Sequence, residues 1–265
     1  MDLELNGKTA IVTGGSRGIG KAIARELARE GVDVAIVART EATLKATADE
    51  LGKESGRRIL PVAADTGSDE SVKAMVARVA NAFGHIDILV NCAAQPAGQA
   101  PPPKLAEITD DNFWADVNVK VMGYIRCARE VAPHMQRQGW GRIISIGGLA
   151  ARQAGTPITS IRNAAVVAMT KSLADALGEY GINATVVHPS TTRTEATPGV
   201  VEARATAQDI SLEEAEKQLS SSLIGRMVDA REIAYVVAFL ASPKAVAING
   251  DVIPTGGGVK GPIYY

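Results

Sequence analysis

Short apolar runs alternate along this chain with longer stretches in which apolar residues return at helical spacing. Residues 9–13, 34–38, 59–64 and 88–91 read as buried strands. Helical patterns lie between them, from the glycine turn at 14–20 as far as Glu30, over 41–51 and over 70–83, with Gly31 placed to end the first. Strands that are apolar throughout and separated by helices need cover on both faces. The pattern therefore predicts a parallel, doubly wound α/β sheet.

The rhythm continues in the second half. A long helical region runs from about 111 to 138, with Pro133 as a candidate kink. A strand follows over 142–146, then a helix over 164–179 with room to begin several residues earlier, a strand over 183–187, a helix over 229–240 ended by a turn at Ser242-Pro243, and a last strand over 251–254. Two stretches fall outside the rhythm. Residues 95–104 contain Pro96, Pro101, Pro102 and Pro103 and read as a surface loop. From Pro189 to about Gly225 the pattern weakens around an amphipathic helix at 212–220, and residues 190–225 are the candidate substrate-covering segment. There is no internal repeat and no domain boundary, so the 265 residues read as a single domain.

Composition narrows the function classes. Three Phe, two Trp and five Tyr leave the core mostly aliphatic, and 26 glycines point to tight turns. A balance of 28 Lys plus Arg against 29 Asp plus Glu, net charge −1, sets up no field for nucleic acid or anionic lipid. Cys92 and Cys127 form no CxxC and read as small buried hydrophobes. No signal peptide and no 18-residue apolar span is evident, so a reduced, cytoplasmic protein is expected, with no membrane partner. The three separated histidines give no zinc pattern.

Candidate chemistry begins at the first strand's end. Gly14, Gly18 and Gly20 form a GxxxGxG between strand and helix, which lets a dinucleotide diphosphate approach the helix N-terminus, so Gly14, Ser16, Arg17, Gly18, Ile19 and Gly20 are candidate cofactor contacts. An NAD-selective site places an acid at the end of the second strand, but Arg39 stands there, with Arg17 inside the turn. Two guanidiniums suit a 2′-phosphate, which favours NADP(H) over NAD(H); two solvated surface arginines are the plainer reading. Asp65 suits either the adenine amino group or the capping of a short turn.

These features resemble the short-chain dehydrogenase/reductase family over about residues 5–258. The glycine motif is matched from Thr13-Gly14 through Gly20, the family's NNAG run by Asn91-Cys92-Ala93-Ala94, its helix asparagine by Asn118, its PG pair by Pro189-Ser190 and its cofactor-contacting threonine by Thr194. The resemblance implies a single Rossmann-type domain with a mostly parallel central sheet flanked by helices. It adds Asn91, Ala93, Pro189 and Thr194 to the candidate cofactor contacts. It also implies a homotetramer or homodimer through the helices near 111–138 and 159–179.

The family's acid–base residues are missing. Aligned on residues 163–171, the family's lysine position is Asn163 and its tyrosine position is Thr159, while the run that carries its serine is Ser145-Ile146-Gly147-Gly148. An aliphatic alcohol is a far weaker acid than a phenol, and asparagine has no charge to help it. The candidate catalytic residues are therefore Asn118, Thr159, Asn163 and His188, with Asn163 also a candidate for the ribose hydroxyls. His188, at the end of the sixth strand, suits proton transfer or pocket lining; Arg162, one residue before Asn163, reads as a surface group. Tyr264 and Tyr265 end the chain as a weak alternative source of a phenol. Three readings stay open: an atypical NADP(H)-dependent oxidoreductase acting on a small-molecule carbonyl or alcohol, a catalytically inactive dinucleotide-binding or assembly protein, and a non-redox enzyme reusing the pocket.

Overall fold

A computed structural model describes residues 1–95, 105–153, 155–220 and 222–258. Most of the Pro-rich stretch, from 96 to 104, and the two C-terminal tyrosines lie outside the described residues. The strands are β1 Thr9–Thr13, β2 Asp33–Ala38, β3 Ile59–Ala63, β4 Ile88–Asn91, β5 Gly141–Ile146, β6 Ile182–His188 and, after a short pair β7 Thr192–Arg193 and β8 Val228–Asp229, β9 Val252–Pro254. The main sheet is parallel throughout, in the order β3-β2-β1-β4-β5-β6-β9. The doubly wound expectation is met.

Helix α1 (Gly18–Arg29), α2 (Glu41–Ser55) and α9 (Ala230–Ala241) cover one face, burying Ile23, Leu27, Leu44, Ile233 and Val237 against Val12, Ile36, Val90 and Ile144. On the other face α3 (Asp69–Phe83), α5 (Gly123–Gln138) and α6 (Pro157–Leu177) bury Val72, Val76, Cys127, Val131 and Leu177 against Ile11, Val37, Leu89 and Ile143. β1 lies between β2 and β4, so the order of strand addition reverses there and opens a crevice at the carboxyl ends. The glycine turn, the Asn91 run, Gly147-Gly148 and His188 all stand along that edge.

Three local differences from the sequence pattern matter. The region 111–138 is not one helix kinked at Pro133: α4 (Asp110–Val117) passes into a π turn, Asn118–Met122, where the Gly123 N–H reaches back five residues to the Asn118 carbonyl. Pro133 sits inside α5 without ending it. α6 begins at Pro157, where Thr156 caps the Thr159 N–H and proline fits the first turn.

The third difference is α7 (Thr197–Gln208), which carries few large apolar residues and so left no periodic signal. Its Val201 and Ala205 pack on Ala215 of α8 (Leu212–Leu219) as a small separate cluster, with Ile210 and Leu219 at its edge. No helix among the described residues is long and apolar enough to cross a membrane.

The glycine turn allows a direct stability test. A Cβ on Gly20 would lie 2.2 Å from the Gly14 carbonyl oxygen, a backbone clash, whereas Gly56 has a left-handed φ of 69° but open space around it. Gly56→Ala is expected to cost about 1 kcal/mol through its backbone alone. Gly20→Ala is expected to cost about 3 kcal/mol or more, read from urea unfolding midpoints at unchanged m.

Candidate active site

The cofactor end is built around close backbone approaches. Gly14 has φ 68°, and a Cβ there would come within 3.1 Å of the backbone of Cys92 and Ala93. The Thr13 hydroxyl accepts from the Cys92 and Ala93 N–H groups at 3.0 and 3.2 Å, which joins the glycine turn to the Asn91 run. Ser16 is buried, and its carbonyl accepts from the Thr47 hydroxyl at 3.0 Å. These contacts leave the first turn of α1 facing the crevice, a cradle in which a Cβ on Gly18 would meet Thr194 at 3.8 Å. The geometry fits a dinucleotide diphosphate against helical N–H groups.

Arg17 and Arg39 are both exposed, at the start of α1 and just past the end of β2, and neither makes an ion pair with a described residue. Register pairs Thr13 with Val37, so the turn carrying Arg17 and the strand end carrying Arg39 leave the sheet side by side. Asp65 takes the capping role: its Oδ1 accepts from the Gly67 N–H at 2.8 Å. One unforeseen anion stands in the cradle, because the Gly18 N–H donates to Glu195 Oε1 at 2.7 Å. Thr194, beside it, accepts from the Ala196 N–H and donates its own N–H to Thr197.

The catalytic candidates separate. Asn118 is engaged by its neighbours: its Nδ2 donates to the Gly67 carbonyl at 3.2 Å and its Oδ1 accepts from Arg126 at 2.9 Å, so it braces the turn after β3. Thr159 sits in the cap of α6, donating to the Thr156 carbonyl at 3.0 Å, the plain helix-start role. Asn163 is buried, donates to the Thr159 carbonyl at 2.8 Å and leaves its Oδ1 without a partner among the described residues.

His188 is fully buried, and its Nδ1 accepts from the Gly148 N–H at 2.8 Å, which places the ring proton on Nε2. Burial, helped by Arg152 and Lys120, pulls its pKa down to about 4, so it is neutral at pH 7. The ring also accounts for the glycine beside it, since a Cβ on Gly147 would lie 2.4 Å from Nδ1. Pro189 is buried beside it and accepts from the Leu149 N–H. Asn91 is fully buried at the end of β4, in register with Ser145, and the side-chain oxygen and nitrogen atoms of both lack partners among the described residues.

Two charged groups enter that the sequence pattern did not assign to the site. Arg162 is not a surface residue; it is buried and pairs with both oxygens of Asp116 at 2.6 and 2.5 Å, tying α6 to α4. Lys120, in the π turn, is 5% exposed and donates to the Gly147 carbonyl at 3.0 Å. Burial first, and the Arg162 charge second, lower its pKa to about 7 against the support of Cys92 and Asp116. A sequence signal for Lys120 existed. It falls on the stripe Lys120, Tyr124, Cys127, Val131, the buried face of the helix, where a lysine has no place unless it is used. Cys127 is buried as expected, whereas Cys92 is half-buried with its thiol pushed up to about 11 by burial.

The comparisons with known proteins agree with this geometry. A family model described as enoyl-(acyl carrier protein) reductase matches residues 14–260. The chain belongs to the short-chain dehydrogenase/reductase family. It is 35% identical over 250 residues to a short-chain reductase, NovJ, of Streptomyces niveus, with 94% of this chain and 92% of that one covered. The L-sorbose reductase of Gluconobacter frateurii, solved with NADPH and L-sorbose, superposes with a TM-score of 0.93 at 29% identity, covering 99% of this chain and 100% of that one. A short chain dehydrogenase of Burkholderia cenocepacia J2315, solved with NADP, gives a TM-score of 0.81 at 36% identity, covering 96% and 98%. This short-chain dehydrogenase/reductase is an oxidoreductase that uses a nicotinamide cofactor.

The two depressed pKa values make stability depend on pH. An ordinary lysine holds its proton to about 10.5, so between about 7 and 10.5 the unfolded chain binds more protons at Lys120 and stability rises with pH. His188, ordinarily at 6.5, adds stability that is full above 6.5 and is lost as pH falls to about 4. Lys120→Met is expected to unfold at higher urea than wild type at pH 7, with the gap narrowing by pH 10. His188→Gln should flatten the decline between pH 6.5 and 4 in the same measurement.

Proposed function

We propose that the protein is an NADP(H)-dependent reductase of a small-molecule carbonyl compound, working without the family's serine, tyrosine and lysine. The observation that supports the cofactor choice is a pair of exposed guanidiniums, Arg39 where an NAD-selective site holds an acid and Arg17 in the glycine turn beside it. Two solved relatives bound to NADPH and to NADP favour the same form.

In this reading the first turn of α1 and the glycines hold the diphosphate, and Arg17 and Arg39 hold the 2′-phosphate. The unpartnered Oδ1 of Asn163 accepts from a ribose hydroxyl. Asn91 and Ala93 line the floor beside Gly14, while Pro189 and Thr194 form the wall. When bound, the reduced nicotinamide supplies a hydride to the carbonyl carbon.

Residues 190–225 cover the substrate. Arg193 pairs with Glu216 within the segment and, at 3.3 Å, with Asp229 outside it. Glu195 releases the Gly18 N–H as the diphosphate takes its place, since two anions cannot share one helix terminus. A homo-oligomer formed through α4, α5 and α6 would cover Trp114, Met122 and Ile161, which are 62%, 40% and 50% exposed there.

Calorimetric titration of the purified protein tests the cofactor assignment. NADPH is expected to bind more tightly than NADH, and Arg39→Ala to weaken NADPH by about ten-fold while leaving NADH unchanged. Glu195→Gln is expected to tighten both by about three-fold or more, because it removes a carboxylate from the diphosphate position. Preference for NADH, or equal loss for both forms in Arg39→Ala, would reject NADP(H) as the cofactor.

A further inference from the structure

Carbonyl reduction needs a proton as well as a hydride, and the described residues offer few groups able to give one. Thr159 is an aliphatic alcohol committed to a helix cap. Tyr124 is a phenol, but it is 1% exposed, its hydroxyl donates to the Ile146 carbonyl at 3.1 Å, and burial holds its pKa well above 10. Cys92 is held as a thiol by burial, and His188 is neutral with Nδ1 already engaged.

Lys120 differs from all of these. Its Nζ reaches the Gly147 carbonyl, in the run where the resembling family carries its serine, and the neighbouring Gly148 faces Asn163, the lysine position of the alignment. Of the ammonium's three N–H groups, one has an acceptor among the described residues. The other two have no acceptor among the described residues. The π turn brings this about: a turn of i+5 spacing between α4 and α5 carries Lys120 to the Gly147 carbonyl at the end of β5, while Asn118, two residues earlier, braces the turn after β3. Lys120 and Tyr124 are four residues apart and hold the successive carbonyls of Gly147 and Ile146, so the same helix face fixes the end of β5 and presents the amine.

We propose that Lys120 is the proton donor of the reduction, an ammonium supplied by the π turn in place of the family's phenol on α6. The inference rests on the carbonyl-reductase reading above. As hydride forms the new C–H bond, the carbonyl π bond becomes the oxygen lone pair that takes a proton from Nζ. An N–H bond breaks, an O–H bond forms, the nicotinamide is oxidised, and the carbonyl is reduced to an alcohol. Neutral Lys120 regains its proton from water; in alcohol oxidation it acts as the base.

The groups facing Lys120 support a proton that moves near neutrality. They are Cys92 after β4, Asp116 on α4, Tyr124 on α5, Arg162 on α6 and His188 on β6, with Arg152 beyond His188. Their charges nearly cancel, since Asp116 is paired with Arg162, so burial dominates and matches the amine to the task.

The test uses the full-length protein, NADPH and a panel of ketoses, α-dicarbonyls and β-keto thioesters. Wild-type kcat for reduction is expected to be level at low pH and to fall above a midpoint near 7, and ¹³C NMR of the lysine Cε should show one titration at the same pH that is absent from Lys120→Met. Lys120→Met is expected to lose about 100-fold or more in kcat while binding NADPH within about three-fold of wild type. Lys120→Arg, which keeps the charge but does not release its proton, should be equally slow.

Retained kcat in Lys120→Met, recovery in Lys120→Arg, or an NMR midpoint above about 9 would each overturn the assignment. Should Lys120→Met fail to fold, the agreement or disagreement of the wild-type NMR and kinetic midpoints decides the matter. Failure of wild type to bind NADPH or to reduce any carbonyl would remove the reductase reading itself, and the proton donor with it.

Discussion

A parallel sheet covered by helices on both faces leaves polar chemistry to the ends of its strands, and here the crevice lies along the carboxyl edge. Backbone groups of β1, β4, β5 and β6 are paired within the ladder, and the helices on either side bury aliphatic rows against it. Whatever the protein does with charge must therefore happen where the strands end and the loops part. The Thr13 hydroxyl is central to that edge, because by accepting two N–H groups of the run after β4 it holds the glycine turn and the Asn91 run at one separation. The cofactor cradle depends on that spacing, since Gly14 has no room for a side chain against the same backbone.

The residues that depart from the family's pattern form a consistent set in space. His188 fills the volume that any side chain on Gly147 would need, and Asn163 closes against Gly148. With the polar groups of α6 reduced to a cap and an asparagine, positive charge arrives instead from the helix after β4, and its ammonium is held by the Gly147 carbonyl. Arg162, next to the family's lysine position, is not a surface group but half of an ion pair that fixes α6 to α4, and both charges of the pair act on that ammonium. Breaking such a buried pair from one side leaves a bare charge in the core, which makes it a constraint on how this crevice can vary.

The segment proposed to cover the substrate shows the opposite economy of structure. α7 and α8 bury a small cluster of their own, while exposed ion pairs of Arg193 tie β7 to α8 through Glu216 and to β8 through Asp229, and such pairs are individually weak and screened by salt. Its small cluster is separate from the main core, and its Glu195 carboxylate accepts from the Gly18 N–H at the start of α1.

Much of this molecule was legible in the order of its residues. Apolar runs and helical spacing located the seven strands of the main sheet and their parallel packing, because those signals depend on which residues must be covered and covering is a local property of the pattern. The glycine turn was equally clear, since only missing side chains permit its approaches, and the absence of the resembling family's tyrosine and lysine from α6 followed from aligning residues 163–171 with its helix. α7 was missed because its buried residues are few and small. The site's inner arrangement needed the fold: that Asn118 braces a turn, that Arg162 is buried with Asp116, and that Lys120 rather than Asn118 faces Gly147 are set by a π turn whose extra residue rotates the chain. Periodicity assumes a uniform helix and cannot register such a rotation, and the burial that brings the Lys120 pKa down to about 7 exists only once α4, α5, α6 and the strand ends have closed around it.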